Sequence, residues 1–406
     1  MPINLKINNK MKNNIALLAL FFVTFSLFNG CKKNDDECPI CPSAVSIFPT
    51  SGSGGDILTI TGINFAEVAT DNIVKINGQL CDSIISGTTT EIKVKVPENC
   101  GTGPVTVDFD SELTNQGTPP IFQYNTSYVV DTKQNLNLPY GIAFSDNTAT
   151  DFMYVVSENK IYVLTLDGQI ANNNYFTAQT GQLIKDIAVK GTQVYAIISS
   201  STNDIVNKLN GTNQQPTPIG TFPSSSLRGI ALDNNGDIYV SSTDNTIKKM
   251  LKTTPYTLST YASSGIVGPF GLAFDSNNIL YVSEVTNNRI LKISTNGTVS
   301  VLAGASGSSG SNDGTGANAS FNSPRGIACD NSNNVYVAEY TGRVIRKIDA
   351  NAKVTTLAGN SSLSGANNGI GDAATFQAPY GISVDATGNI WVTDVTNNMV
   401  RYIYPQ

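Results

Sequence analysis

One phrase recurs six times between Leu138 and Gln406, and this repeat constrains the fold more than any other feature of the chain. Each copy has a short apolar strand around a glycine, a polar turn, a strand led by an aromatic residue, and a third strand that mixes basic and apolar residues. The fifth copy runs from Pro324 to Ile348. A repeat of this length indicates a repetitive architecture such as a propeller or a solenoid.

The position that marks each copy is a glycine in five copies and an aspartate in the second. In chain order it is held by Gly141, Asp186, Gly229, Gly271, Gly326 and Gly381. Successive positions are 45, 43, 42, 55 and 55 residues apart, which matches one four-stranded propeller blade per copy. Apolar residues alternate over short runs that Asn-Gly or Asn-Asn turns separate, as in strands and hairpins. We therefore predict a six-bladed β-propeller over residues 126–406.

The repeats also predict how the ring of blades closes. A further strand follows each of the first five copies, most clearly at residues 298–304, but none follows the sixth. The run from Ser127 to Asp131 alternates apolar and polar residues and precedes the first copy without an obvious partner. We expect it to pair antiparallel with Val400–Tyr404 and to complete blade six.

The repeat resembles that of the NHL-repeat propellers. The motif Pro/Leu-x-Gly-Ile/Leu-Ala/Ser-x-Asp, followed by Ile/Val/Leu-Tyr/Trp-Val, is nearly complete in copies three to six and weak in copy two. The long inserts at residues 304–323 and 359–378 look like the longer variant of the repeat in bacterial secreted members of this family. The resemblance implies a fold rather than an activity, because propellers are scaffolds for many functions.

A second all-β unit precedes the propeller at residues 44–125. Its motif includes Ile47-Phe48-Pro49, Gly54-Gly55, and the alternating run Leu58–Phe65. This pattern resembles an IPT/TIG domain, an immunoglobulin-like β-sandwich. The expected fold class is therefore all-β: an immunoglobulin-like β-sandwich followed by a six-bladed β-propeller. The resemblance also implies a disulfide between Cys81 and Cys100, which an oxidising exterior would permit.

The first 30 residues have the composition of a secretory signal. Three lysines precede the apolar run from Ile15 to Phe28, and Gly30-Cys31 follows. A membrane anchor is the alternative, but a run of 14 residues is shorter than the ~20 that a bilayer core requires. The Gly-Cys pair resembles a bacterial lipoprotein cleavage site, which implies that Cys31 becomes the lipidated first residue.

Residues 31–43 form the expected tether between this lipid and the first domain. Lys32 to Glu37 is a charged run, which is either a solvated spacer or, by resemblance, the surface-export signal of Bacteroidetes-type lipoproteins. The second reading places the protein on the cell outer membrane, facing the exterior. Cys38 and Cys41 form a lone CxxC pair, for which a local or intermolecular disulfide is favoured over zinc.

Composition excludes several classes of function. The chain contains no histidine, so Ser-His-Asp and Cys-His catalysis and His-ligated zinc are ruled out. Removing residues 1–30 takes away three lysines and no acid, so the net charge of −6 becomes −9. A surface this acidic does not suit nucleic acid as a partner.

Two recurrent positions remain as candidate sites, and the first is acidic. The position after the second strand of each copy holds Glu284, Glu339 and Asp394 in copies four to six. These carboxylates could bind a divalent cation such as Ca²⁺, as in propeller lactonases of related topology, or accept hydrogen bonds from the following turn. The aspartates Asp233, Asp275, Asp330 and Asp385 precede Asn/Gly turns and are expected to cap them.

The second candidate position lies directly before the repeat glycine. It holds three aromatic and three basic residues: Tyr140, Lys185, Arg228, Phe270, Arg325 and Tyr380. These side chains could form a binding surface at one end of the channel, where aromatic faces stack on sugar rings and cations hold acidic or hydroxyl groups. Packing beneath the neighbouring loops is the alternative.

Three functions are compatible with these observations. The favoured one is a surface-anchored module that binds a glycan or protein through the propeller face, with no cofactor. The second is an extracytoplasmic lactonase-like or lyase-like enzyme that uses the three carboxylates on a metal. The third is a structural envelope protein without a saturable ligand.

Overall fold

Short β-strands joined by tight turns form almost all of the regular structure. The computed structural model describes residues 42–97, 100–108, 118–124, 128–145, 152–212 and 214–405. Among these residues the helical structure is limited to three short 3-10 turns, Ala69–Asp71, Gly316–Asn318 and Gly371–Ala373. No helix in the described ranges is long and apolar enough to cross a membrane. The all-β prediction is therefore confirmed, while the predicted signal segment, Cys31 and the Cys38/Cys41 pair lie outside the described residues.

The chain divides into two compact units between Ser127 and Tyr128. The strands of the first unit are β1 (Ser43–Phe48), β2 (Ser51–Gly52), β3 (Ile57–Ile63), β4 (Ile73–Ile76), β5 (Gln79–Leu80), β6 (Ile84–Gly87), β7 (Glu91–Lys95), β8 (Gly103–Asp108) and β9 (Ile121–Tyr124). They form two sheets, with strand orders β1-β3-β7-β6 and β2-β9-β8-β4-β5. Leu58, Ile60, Val105 and Val107 alternate with exposed or half-buried neighbours and form part of one fully buried core, which is the arrangement of a β-sandwich.

The expected disulfide between Cys81 and Cys100 is absent, and both residues are thiols in the structure. Both side chains are buried in the sandwich core as small apolar residues. Burial raises the pKa of the Cys81 thiol to about 12, and the neighbouring Cys100 adds to the increase. The thiolate, which is the reactive species, is therefore disfavoured at Cys81 in the folded domain.

The second unit begins with β10 (Tyr128–Asn135), and three blades follow it in chain order. Blade one contains β11 (Pro139–Phe144), β12 (Met153–Ser157), β13 (Lys160–Leu164) and β14 (Ile170–Thr177). Blade two contains β15 (Leu183–Lys190), β16 (Gln193–Ser199), β17 (Asn203–Leu209) and β18 (Thr217–Pro223). Blade three contains β19 (Leu227–Leu232), β20 (Ile238–Ser242), β21 (Thr246–Met250) and β22 (Leu258–Ala262).

Blades four to six carry the two inserts. Blade four contains β23 (Pro269–Phe274), β24 (Leu280–Glu284), β25 (Arg289–Ile293) and β26 (Val299–Ala303). Blade five contains β27 (Gly314–Thr315), β28 (Pro324–Cys329), β29 (Val335–Glu339), β30 (Val344–Ile348) and β31 (Lys353–Gly359). Blade six contains β32 (Gly369–Ile370), β33 (Pro379–Val384), β34 (Ile390–Asp394) and β35 (Met399–Pro405). Each blade is a separate antiparallel sheet.

The six blades close into a ring. The inner strands β11, β15, β19, β23, β28 and β33 each contact the next in that order, and β33 contacts β11. Strand β10 pairs antiparallel with β35 and forms the outer part of blade six, with Val129 opposite Tyr404 and Asp131 opposite Tyr402. The predicted closure is confirmed. It joins the beginning and the end of the propeller in one sheet, so that the sixth blade needs both.

Strand direction decides which side chains share one end of the ring. Each inner strand begins, and each second strand ends, at the same end, because Pro324 lies opposite Glu339 and the other blades repeat this register. The inserts at residues 304–323 and 359–378 lead directly into the inner strands β28 and β33. We name this the insert end. The residues before the repeat glycines lie here, as do the carboxylates at the ends of the second strands.

Candidate functional site

The repeat glycine is required because the next blade comes very close to it. A Cβ atom on Gly271 would lie 2.2 Å from the carbonyl oxygen of Arg325, and one on Gly229 would lie 2.3 Å from that of Phe270. No side chain fits at such a distance without moving the neighbouring strand. The glycine thus fixes the inner strands of adjacent blades side by side, and with them the residue that precedes each glycine.

A hydroxyl group on the second strand completes this contact. The Ser283 hydroxyl accepts a hydrogen bond from the Gly271 N–H at 2.9 Å and donates one to the Arg325 carbonyl at 2.5 Å. Ser241 makes the same two bonds with Gly229 and the Phe270 carbonyl, and Thr393 does so with Gly381 and the Tyr140 carbonyl. These hydroxyls position the backbone of the candidate residues, although the sequence pattern did not single them out.

Four of the six predicted residues meet at the channel axis. The ring of Tyr380 lies edge-on to those of Tyr140 and Phe270, with centroids 5.3 and 5.5 Å away. The Arg325 guanidinium carbon lies 4.9 Å from the Tyr380 centroid and 5.3 Å from that of Phe270. Because Phe270 and Tyr380 belong to blades four and six, their contact crosses the position of blade five. These side chains therefore converge on the axis rather than lining separate sectors.

Tyr340 is a fifth member that sequence reasoning missed. Its ring centroid lies 3.6 Å from the Arg325 guanidinium carbon and 6.3 Å from the Tyr380 centroid. The signal was present, since Tyr340 directly follows Glu339, where blades three, four and six have Thr243, Val285 and Val395. We name Tyr140, Phe270, Arg325, Tyr340 and Tyr380 the aromatic–arginine cluster.

The three predicted cations have different surroundings. Lys185 makes an ion pair of 2.8 Å with the buried Asp204 and also donates to the Leu227 carbonyl, so its charge is neutralised within the protein. Arg325 and Arg228 have no hydrogen bond or ion pair from their side chains to the part of the chain that the structure describes. Arg325 is half-buried and Arg228 is exposed. The structure therefore leaves two arginines available at the insert end.

Burial raises the pKa of two groups, one in the cluster and one next to it. Loss of hydration raises the pKa of Tyr380 to about 12, and Arg325 and Arg228 act in the opposite direction. Burial likewise raises the pKa of Asp186 to about 7, although its carboxylate accepts backbone hydrogen bonds from Ile230 and Ile187. The Tyr380 hydroxyl is therefore neutral at neutral pH.

The predicted acidic set is not a single site. Glu284, Glu339 and Asp394 are fully buried, and each faces an arginine of its own blade, namely Arg289, Arg346 and Arg401 respectively. Each carboxylate also accepts N–H groups from the loop before its inner strand, such as those of Val267, Asn322 and Ala378. Among the described residues, no three acidic, cysteine or histidine side chains are grouped so that they could hold a metal ion.

The arginines connect these carboxylates to the inserts. Arg346 donates to the carbonyls of Ser320 and Asn312 and to the Asp313 carboxylate, at 2.9 to 3.0 Å. Arg401 does the same in blade six with the carbonyls of Thr375 and Asn367. The carboxylates occur in blades four to six because an arginine there holds the loop that precedes the inner strand.

The second aspartate series caps turns, as predicted. The Asp275 carboxylate accepts the N–H groups of Asn277 and Ile279 and the hydroxyl of Tyr281. Asp233, Asp330 and Asp385 make the equivalent bonds in their blades. Each of these carboxylates therefore joins a turn to the aromatic residue of the second strand.

A cavity of about 480 Å³ occupies the channel on the other side of the repeat glycines. Its lining runs from Asp186, Gly271, Gly326 and Gly381 toward the turns at Asp330 and Asp385, and it does not include the members of the cluster. Cys329 is half-buried and borders this cavity. The cluster at the insert end and the channel cavity therefore lie on opposite sides of the repeat glycines.

Comparison with known proteins agrees with this architecture. Residues 42–124 match the family model of the IPT/TIG domain. A stretch of 95 residues is 39% identical to Protein SUPPRESSOR OF QUENCHING 1, chloroplastic, of Arabidopsis thaliana, and covers 23% of this chain and 9% of that protein. A stretch of 115 residues is 30% identical to NHL repeat-containing protein 2 of Bos taurus, and covers 28% of this chain and 16% of that protein. The chain thus spans less than a fifth of the length of either relative.

Among solved structures, an auxiliary nutrient binding protein from Bacteroides thetaiotaomicron VPI-5482 is similar over 90% of this chain and 98% of its own. The TM-score is 0.59 at 17% sequence identity, a likeness that concerns the fold. Together, the comparisons and the sheet topology show a unit that matches the IPT/TIG domain model at residues 42–124, followed by a six-bladed β-propeller with a segment similar to an NHL repeat-containing protein.

Proposed function

We propose that this protein is a binding module whose ligand is a glycan, held at the insert end of the propeller. The observation that carries the proposal is Arg325. Its guanidinium is placed between aromatic rings, yet it donates to no acceptor in the described part of the chain. An arginine that is fixed in place with its donors unused is suited to an external partner.

The aromatic residues favour a sugar as that partner. Binding sites combine apolar and aromatic surfaces with a few polar groups that fix orientation. Tyr340 and Tyr380 supply ring faces and hydroxyls beside Arg325, and Arg228 adds a second cation. A sugar ring has an apolar face and several hydroxyls, so it matches both features of the cluster.

The acidic residues support binding rather than hydrolysis. Glu284, Glu339 and Asp394 are each engaged by an arginine and by backbone N–H groups within their own blade. A carboxylate in such a position stabilises a loop, and it cannot turn toward a substrate without leaving a buried arginine unpaired. These three carboxylates therefore do not supply an acid–base pair that faces the insert end.

We also propose that the protein is lipidated at Cys31 and displayed on the outer membrane. The apolar run before Gly30-Cys31 and the charged segment after it motivate this location. The Bacteroides protein of similar fold is described as an auxiliary nutrient binding protein, and a glycan-binding role at the cell surface would be of the same kind. Labelling with a radioactive fatty acid that is lost in Cys31→Ala would test the lipid anchor.

The binding proposal can be tested with an array of polysaccharides and the purified full-length protein. We expect saturable binding to at least one glycan, and loss of that binding in the double variant Arg228→Ala/Arg325→Ala. The matched control Lys252→Ala/Lys292→Ala removes two exposed positive charges elsewhere on the propeller. If the first double variant retains the affinity of the wild type for every glycan found, the insert end is not the binding site.

A further inference from the structure

The surroundings of Arg325 indicate the charge of the glycan that would bind, provided that the glycan site proposed above exists. We propose that the bound glycan is anionic, and that its carboxylate or sulfate group is held by the edge of the Arg325 guanidinium, with Arg228 as a second cation. The proposal concerns charge specificity, which a neutral sugar stacked on the aromatic rings would not require.

Three aromatic rings surround the Arg325 guanidinium. Tyr340, Tyr380 and Phe270 lie around the group at 3.6, 4.9 and 5.3 Å from its central carbon. These contacts hold the guanidinium in place, and a guanidinium binds an oxyanion in a bidentate manner through its N–H groups. Because the Nε atom of Arg325 is buried, we assign this role to its two Nη groups.

Other arginines of the propeller show what a structural arginine looks like in this fold. Arg346 also lies over an aromatic ring, that of Phe321, but its Nη atoms donate to Glu339, Asp313 and two backbone carbonyls. Arg401 lies over Phe376 and donates to two carbonyls and to Asn368. Arg325 has the aromatic contacts of these residues without their acceptors. The missing acceptor is the group that we assign to the ligand.

The charges around the cluster favour an anion. Arg325 and Arg228 both lower the pKa of the Tyr380 hydroxyl, and Asp186 raises it. Asp186 accepts the Ile230 N–H at 3.1 Å and borders the channel cavity on the far side of the cluster. The three buried carboxylates of the insert end, Glu284, Glu339 and Asp394, are each paired with an arginine of their own blade, whereas Arg325 and Arg228 have no such partner in the described part of the chain.

The test compares charged glycans with their neutral derivatives on the full-length protein. The probes are polygalacturonate, alginate and chondroitin sulfate, each before and after carboxyl reduction, chondroitin sulfate also after desulfation, and neutral galactan and mannan. We expect at least one anionic probe to bind, and its affinity to fall roughly tenfold or more when the anionic group is removed. The reaction that abolishes binding, reduction or desulfation, identifies the group.

Variants of Arg325 separate charge from geometry. Arg325→Lys keeps the charge and loses the planar fork, and we expect roughly tenfold weaker binding; Arg325→Gln should weaken it by about a hundredfold. Lys292→Gln removes one exposed charge and should leave affinity unchanged. Circular dichroism and the melting temperature of each variant show whether it is folded.

The two proposals fail in distinguishable ways. If no glycan of either kind binds, the proposed function fails. If neutral glycans bind as tightly as anionic ones and Arg325→Gln binds them like the wild type, the glycan-binding function stands and the assignment of an anionic group is overturned. Equal weakening by Arg325→Lys and Arg325→Gln for a neutral glycan would likewise indicate a packing role for Arg325.

Discussion

Asp186 occupies a position where five of the six blades have glycine, and we predict that its ionisation weakens the propeller. Burial beside the channel raises the pKa of this carboxyl from 3.8 to about 7, because its hydrogen bonds to the Ile230 and Ile187 N–H groups do not replace lost water. The folded protein therefore holds this proton more tightly than the unfolded chain does. The perturbation that isolates the effect is Asp186→Asn, which keeps the size and the acceptor oxygen and removes the charge.

The sign and size follow from proton linkage. Well below pH 3.8 the carboxyl is neutral in both states, so it makes little difference to stability. Between about pH 4 and pH 7 only the unfolded state loses the proton, so stability falls as the pH rises, and the full cost is present above pH 7. A shift from 3.8 to about 7, at ~1.4 kcal/mol per pH unit, is worth about 4 kcal/mol. Because Asp186 borders the channel cavity, we expect about half of this value.

Urea denaturation between pH 4 and pH 8.5 measures this effect. Trp391 is the only tryptophan of the chain and is fully buried in blade six, so its fluorescence reports on the propeller. The free energy of unfolding of Asp186→Asn should exceed that of the wild type by about 2 kcal/mol at pH 8 and match it near pH 4. Asp372→Asn, at an exposed site, should show no such trend. A difference between wild type and Asp186→Asn that stays constant with pH would refute the reasoning.

Three further predictions test the contacts that position the site. Glu339→Ala leaves the buried Arg346 without its carboxylate, so we expect a loss of about 3–5 kcal/mol in urea denaturation; a loss below 1 kcal/mol would contradict a buried pair. Ser283→Ala leaves the Gly271 N–H and the Arg325 carbonyl without their shared hydroxyl, which should cost about 1–3 kcal/mol by the same assay, whereas a neutral effect would show that adjacent blades do not depend on it. Deletion of residues 128–135 opens blade six and exposes the edge of β35, so size-exclusion chromatography should show aggregation; a monomer with the wild-type melting temperature would rule out closure by β10.

The fold could be predicted from the sequence because its information is repeated. Each copy contains its own turn signals and apolar alternation, so six independent readings agree on strand order and blade length. The capping role of Asp275 and its equivalents was predictable for the same reason, since an aspartate before an Asn turn is a local signal. The closing strand was found by elimination, because one blade lacked an outer strand and one segment lacked a partner.

The candidate site was predicted only in part, because its contacts join residues that are distant in the sequence. The position before the glycine identifies Tyr140, Phe270, Arg325 and Tyr380. Tyr340 stands out in the sequence as an aromatic residue where other blades have Thr or Val, but its contact with the Arg325 guanidinium is not indicated by the repeat. Lys185 has the same position in the repeat as Arg325, yet Asp204, at the start of the third strand of its own blade, neutralises it. The partner of each cation depends on which acids its own blade contains, and the repeat pattern does not specify this.

The carboxylates show how a departure from a repeat can be misread. Three acids on one arc resemble a metal site, but each is the partner of an arginine on the adjacent strand of the same sheet, as Arg346 is for Glu339. An arginine buried against an aromatic ring needs acceptors for its Nη groups, and the insert supplies carbonyls while Glu339 supplies the charge. The carboxylates, the arginines and the inserts therefore form one set of contacts that stabilises the insert end of blades five and six. Arg325 contacts aromatic rings as these arginines do, but it lacks their hydrogen-bond acceptors. For this reason we expect an external ligand to bind at Arg325 rather than at the buried carboxylates.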